Sequence, residues 1–204
     1  MCIVKCMVNN KRICGIDEAG RGAFAGPLVC AAVTLPLTFM LSDFPRKIVF
    51  RDSKKMSERQ REKAYEKIFD FAIDVKTVSI SADAINKRGV GWANWYGFRK
   101  LIYKVCANRY ILDGIPFKQS LSNNSHFMIK ADAVIPAVIC ASIIAKVTRD
   151  NIMRKLGSKY KQYAWQANKG YGTKFHREKI INFGVTNQHR ILFVKNTLVG
   201  YHYT

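Results

Sequence analysis

Four acidic residues stand where a carboxylate is hard to explain without a ligand. Asp17 and Glu18 close the apolar run Ile13-Cys14-Gly15-Ile16, Asp113 closes Tyr110-Ile111-Leu112, and Asp132 follows Phe127-Met128-Ile129. Each is followed at once or soon by Gly, Ala or Pro. An acid at the end of a buried strand costs free energy unless it is paired or bound to a cation. Hard divalent cations such as Mg²⁺ take oxygen ligands, and three or four carboxylates can hold two ions a few ångströms apart. In a protein built for a polyanion, that arrangement suits phosphodiester hydrolysis. One ion prepares a water as nucleophile and the other stabilises the leaving 3′-oxygen. The other acids have plainer readings. Glu58, Glu62, Glu66 and Asp70 alternate with Arg59, Arg61, Lys63 and Lys67 as solvated helix charges, while Asp43, Asp74, Asp83 and Glu178 suit loops, edges or caps.

The elements that must position the four acids follow from periodicity. Strands are expected over 12–18 and 27–35, joined by the Gly-rich segment 20–26. Ser57 is a good N-cap for a helix to about Phe69, with Ala64, Tyr65, Ile68 and Phe69 inward. A strand over 71–81, a short helix to Gly89 and a longer helix over 92–108 come next. Strands over 110–114 and 126–129 precede a long helix from Pro136 to about Leu156, with Gly157 as its stop. A last helix is expected over 175–183. Strands alternating with helices after an opening hairpin give an α/β sandwich with a mixed sheet. Asp17 and Glu18 would point to opposite faces of a regular strand. The glycines after them are expected to break the strand, so that both side chains turn to one site.

The bulk composition narrows the partner. Thirty-four Lys and Arg against fourteen Asp and Glu give a formal net charge of +20 over 204 residues. The basic residues are spread along the chain and not gathered in one amphipathic helix, which favours nucleic acid over a membrane surface. No apolar run approaches the ~20 residues of a spanning helix, and Met1 to Arg12 lacks the apolar core of a signal peptide. Six cysteines at 2, 6, 14, 30, 106 and 140 form no C-x-x-C pair, so buried thiols of a reducing cytosol are expected.

The motifs together resemble the ribonuclease HII family. The resemblance is carried by Gly15-Ile16-Asp17-Glu18-Ala19-Gly20-Arg21-Gly22 with Ala25-Gly26-Pro27, by Asp52-Ser53-Lys54-Lys55-Met56-Ser57, and by Leu112-Asp113-Gly114. It continues in Lys130-Ala131-Asp132, in 141–150, in Gly170-Tyr171-Gly172-Thr173 and in His189-Arg190. These blocks are collinear and run from about residue 13 to 193.

The resemblance implies a ribonuclease H-like fold: a mixed five-stranded sheet flanked by helices, with a catalytic domain over 1–157 and a small C-terminal helical extension over 158–204. It implies an endonuclease that hydrolyses the RNA strand of RNA–DNA hybrids and nicks duplex DNA 5′ of an embedded ribonucleotide, leaving 5′-phosphate and 3′-hydroxyl ends. Mn²⁺ or Mg²⁺, two ions per site, would be held by Asp17, Glu18, Asp113 and Asp132. Gly20, Arg21 and Gly22 resemble the family's 2′-hydroxyl reader, and Tyr171 the tyrosine that packs on the adjacent sugar. Ser53, Lys54, Lys55, Lys146 and Arg149 are expected at the substrate, the basic ones on phosphates, and Asp150 in an orienting ion pair. His189 and Arg190 read equally as backbone contacts or as surface residues.

Three departures from the family pattern stand out: Ala23 for Pro or Cys, Ala131 for Gly, and Leu192 for Ser. The expected partners are nucleic acid alone, with no membrane and no obligate protein partner, for a cytoplasmic monomer. The start of the chain almost at the catalytic strand disfavours the related ribonuclease HIII, and Leu198 to Thr204 is the only candidate tail for a sliding clamp. Two other readings remain open: an integrase-like or Holliday-junction nuclease, and a non-catalytic basic nucleic-acid-binding protein.

Overall fold

The computed structural model describes residues 11–199, with side chains through residue 195. The signal-peptide and clamp-tail questions therefore fall on residues outside that description. Five strands form one sheet: β1 (Arg12–Ala19), β2 (Leu28–Pro36), β3 (Asp74–Ile80), β4 (Arg109–Asp113) and β5 (Ser125–Met128). Their order is β3-β2-β1-β4-β5. β2 is antiparallel to both β1 and β3, whereas β1–β4 and β4–β5 run parallel. The helices are α1 (Glu58–Phe71), α2 (Ala82–Arg88), α3 (Val90–Lys104), α4 (Pro136–Lys159), α5 (Trp165–Asn168), α6 (Lys174–Phe183) and α7 (Ile191–Val199).

The alternation of strand residues builds two apolar layers. Cys14, Ile16, Leu28 and Cys30 face α3, where Phe98 and Leu101 are fully buried against them. Ala31, Val33 and Leu35 face the other way, toward Ala64 and Ile68 of α1 and Ala137, Ile139 and Ala141 of α4. Helix α4 is apolar on nearly every side along its first half, the pattern of a helix covered all round. A third cluster joins Ala25 and Met153 to Tyr163, Trp165, Ile180 and Val194, so the C-terminal elements seat on the loop after β1 and on α4.

Two boundaries differ from expectation, each for a packing reason. Helix α3 stops at Lys104 because Val105 turns extended (φ −115°, ψ 150°). The Tyr110 hydroxyl then donates to the Val105 carbonyl (2.9 Å) and accepts from the Ala107 N–H (3.3 Å), which satisfies the connecting backbone. Helix α4 runs through Gly157 to Lys159. A Cβ at 157 would lie 2.7 Å from the Gln166 amide nitrogen, so this glycine admits α5 alongside and is not a stop signal. Cys14, Cys30 and Cys140 are buried free thiols as expected, whereas Cys106 is disulfide-bonded.

Candidate active site

The carboxyl ends of β1 and its parallel neighbour β4 deliver the first acids. Strand β1 pairs regularly with β2 to its last residue, Asp17 opposite Ala31 and Glu18 opposite Cys30, so the expected strand break does not occur. The two side chains keep to opposite faces. Asp17 (4% exposed) meets Asp113 and Asp132, and ligand oxygens of these three lie within 4.8 Å of one another. Glu18 stands outside that group. Its carboxylate is 3.9 Å from the Arg21 guanidinium and takes a hydrogen bond from the side chain of Asn94 on α3. Both acids line the same cleft, of about 620 Å³, because it opens over the end of the sheet where the faces meet.

Asp132 arrives on a short 3₁₀ turn, Ala131–Ala133, between β5 and α4. Lys130 before it takes the left-handed conformation (φ 60°), so Ala131 occupies an ordinary backbone position and its departure from the family glycine is absorbed without strain. The Ala131 N–H donates to Asp113 Oδ1 (2.8 Å), fixing the two acids relative to each other.

The electrostatics are those of an acid cluster short of cations. Burial lifts Asp17 well above the usual carboxylate range, and the charges of Glu18 and Asp113 add to the lift. Glu18 is raised to about 7 by burial, with Arg21 pulling it down and Asp113 pushing it up. Asp113 is also raised, by burial and then by Asp132. The nearest lysine is Lys54, whose Nζ is 3.4 Å from Asp132 Oδ2 on a side chain 73% exposed. An all-oxygen, mutually repelling donor set of this kind fits hard divalent cations, which would replace protons and relieve the repulsion.

The expected substrate residues divide. Gly20, Arg21, Gly22, Ser53, Lys54, Lys146 and Tyr171 line the cleft. Lys55, on the turn Ser53–Lys55, is exposed and does not line the cleft. Arg149, expected at phosphates, is fully buried. It donates to the carbonyls of Pro27 (3.0 Å), Lys169 (2.9 Å) and Ala25 (3.1 Å), and with no exposed surface it presents nothing to a phosphate. Its guanidinium lies under the Tyr171 ring at 5.1 Å, beside Lys146 at 5.5 Å. Lys146 pairs with buried Asp150 at 2.9 Å. His189 and Arg190 are fully buried, so neither belongs to the surface.

Arg61 and Asn94 join the site without having been expected there. Arg61 was read as a solvated charge, yet it lines the cleft, donates to the Ser53 carbonyl (3.0 Å) and stands 4.0 Å from Asp150. The signal was present, because Arg61, Ala64, Tyr65 and Ile68 share one helical face. Asn94 had no such signal, since its part depends on α3 crossing the sheet beside Glu18.

A mixed five-stranded sheet with acids gathered at the ends of β1 and β4 defines the ribonuclease H-like class of fold. Residues 14–196 match the family model described as Ribonuclease HII. Ribonuclease HII of Clostridium acetobutylicum is 38% identical over 193 residues, covering 91% of this chain and 73% of that protein. Ribonuclease H2 from Pyrococcus horikoshii OT3 superposes with a TM-score of 0.76 at 24% identity, over 95% of this chain and 100% of that one. A structure of Bst-RNase HIII in complex with Mn²⁺ superposes with a TM-score of 0.73 at 15% identity, over 97% and 72% of the two chains. The chain belongs to the ribonuclease HII family: it is a hydrolase, an endonuclease of the ribonuclease H type that acts on RNA–DNA hybrids.

Proposed function

We propose that this protein cuts the RNA strand of RNA–DNA hybrids and nicks duplex DNA on the 5′ side of an embedded ribonucleotide, leaving 5′-phosphate and 3′-hydroxyl ends. One observation carries the reading: of three carboxylates whose oxygens lie within 4.8 Å of one another, Asp17 and Asp113 line a cleft together with Glu18 and the Gly20-Arg21-Gly22 turn. Among the described residues, the main-chain N–H groups of Arg21 and Gly22 have no hydrogen-bond partner. Donors free on a glycine turn can approach a ribose closely, and a 2′-hydroxyl is what separates RNA from DNA at one position. A DNA-only nuclease needs no such group, and a non-catalytic binder would gain nothing from acids that repel phosphate.

Asp17, Asp113 and Asp132, with Glu18 beside them, would hold two Mg²⁺ or Mn²⁺ ions, a choice supported by the Mn²⁺ complex of the HIII relative. Such ions would activate a water for attack and stabilise charge on the phosphate and leaving oxygen. The chain's own residues do the positioning. Lys54 and Lys146 meet phosphate oxygens, and the Tyr171 ring, with two cations against it, packs on the neighbouring sugar. Residues 1–157 would form the catalytic part and 158–204 its supporting extension, in a cytoplasmic monomer. No helix among the described residues is long and apolar enough to cross a membrane.

The test is a DNA duplex with one ribonucleotide, incubated with Mn²⁺ or Mg²⁺. The expected product is a single nick 5′ of the ribonucleotide with an all-DNA control intact; no nick, or a cut control, removes the proposal. Tyr171→Ala should lower the cleavage of single-ribonucleotide junctions ~10-fold more than that of long hybrids, given about 1–3 kcal/mol for a lost ring stack. Equal loss on both substrates would make Tyr171 a packing residue.

A further inference from the structure

Two arginines, Arg149 of α4 and Arg190 just before α7, are buried side by side against the loop after β1. Arg149 and Arg190 are both fully buried, and no carboxylate pairs with either among the described residues. Their acceptors are main-chain carbonyls. Arg190 Nη1 donates to Gly20 (2.7 Å) and Arg21 (3.0 Å), and its Nε to Gly26 (3.0 Å). Arg149 holds the carbonyls of Ala25 and Pro27 just downstream, and its Nε would sit 1.9 Å from a Cβ at residue 20. Burial and the neighbouring Arg149 charge bring Arg190 down to about 9, so it stays a cation at neutral pH. Burying two like charges is costly. The arrangement returns one thing that an apolar filler could not: every carbonyl it captures is turned inward.

That direction has a consequence fixed by covalent geometry. In a planar trans peptide the N–H points opposite to the C=O. The Gly20 carbonyl shares its peptide with the Arg21 N–H, and the Arg21 carbonyl shares its peptide with the Gly22 N–H. Pulling both oxygens back onto one nitrogen therefore turns the two N–H groups outward, and these are the two left without a partner. Gly20 at φ +87° makes the turn possible, but its backbone freedom leaves the direction open.

We infer that Arg190 is the positioning residue of the ribonucleotide reader, aiming the Arg21 and Gly22 N–H groups at the 2′-hydroxyl from behind while Arg149 backs the turn. The inference rests on the reading of the turn given under Proposed function. It assigns Arg190 to discrimination between ribose and deoxyribose, with no part in metal binding or bond breaking.

The measurement is a ratio of affinities, taken with Ca²⁺ in place of the catalytic ion. A duplex with one ribonucleotide is compared with the all-DNA duplex of the same sequence, for the parent protein, Arg190→Lys and Arg190→Met. The parent should prefer the ribonucleotide duplex. Arg190→Met should lose ~10-fold of that preference, about the worth of one hydrogen bond left unmade, with all-DNA affinity unchanged within about twofold. Arg190→Lys, which keeps the charge on one donor atom, should fall between. A loss of structure alone would lower both affinities together and leave the ratio in place. If Arg190→Met does not fold, Arg190→Lys decides, because one ammonium cannot hold three carbonyls in a guanidinium's plane. A folded Lys or Met variant with the parental ratio overturns the inference while the proposed function stands. A parent with no preference overturns both.

Discussion

Asp17→Asn is expected to abolish cleavage and, in metal-free buffer, to make the protein more stable. Activity should fall roughly 10³-fold or more, because the ions' charge stabilisation amounts to several kcal/mol and Asp17, buried as deeply as Asp132, is central to holding them. Affinity for a hybrid should persist, since phosphate contacts come from other residues. The stability gain follows from the raised carboxyls. A carboxyl whose folded pKa lies above its unfolded value binds more protons when folded, so its favourable contribution is complete below the unfolded value and is lost as pH rises through the folded one. For Glu18 that window runs from 4.5 to about 7, and Asp17 and Asp113 shift the same way. Metal-free protein should therefore lose thermal stability on going from pH 5 to pH 7.5, and Mn²⁺ should restore it. Asp17→Asn should flatten that pH dependence, raise the metal-free midpoint at pH 7.5 by about 3 °C per kcal/mol relieved, and blunt the Mn²⁺ response. Thermal scans with EDTA and with Mn²⁺ decide it. Parental nicking activity in the variant would remove Asp17 from the ligand set.

The second large effect is expected at the turn. Gly20→Ala places a methyl group on the Arg149 guanidinium, 1.9 Å from Nε, at a φ of +87° that L residues rarely adopt. Arg149 cannot yield without releasing the Pro27 and Ala25 carbonyls. We expect a loss of about 3–5 kcal/mol, the range of severe single substitutions. Cleavage of a single-ribonucleotide duplex should fall ~10²-fold, the scale set by an ångström of misplacement. Denaturant unfolding and kcat/KM measure the two losses. Gly22→Ala is the control for stability alone, because a Cβ there meets nothing of the protein within 4 Å. A Gly20→Ala protein with parental stability would mean that Arg149 moves freely, against the geometry described.

Much of this was readable in the chain because hydrophobic runs announce strand ends. Asp17 and Asp113 stand at the ends of such runs and Asp132 on the turn that follows one, and the structure brings those three together. Other features depend on tertiary surroundings that no local pattern encodes. In a chain of net charge +20, Arg149 and Arg190 look like phosphate ligands; their burial among carbonyls appears only when α4 and the segment before α7 close over the loop. Asp17 and Glu18 were expected to reach one site through a break in the strand; they line one cleft, but the β1–β2 ladder stays regular despite the glycines that follow it. Gly157 carries the marks of a helix stop, and only the approach of α5 reveals it as a contact point.

The hydrogen bonds from Arg190 to the turn after β1 span 170 residues of chain. During synthesis from the N-terminus, every acid of the cluster has been made by residue 132, long before Arg190. Contacts of such sequence separation form late because loop closure precedes their reward. On the proposed reading, the nascent protein would hold its metal-binding acids before the arginine that aims its reader, and discrimination between ribose and deoxyribose would be conferred only as the chain is completed.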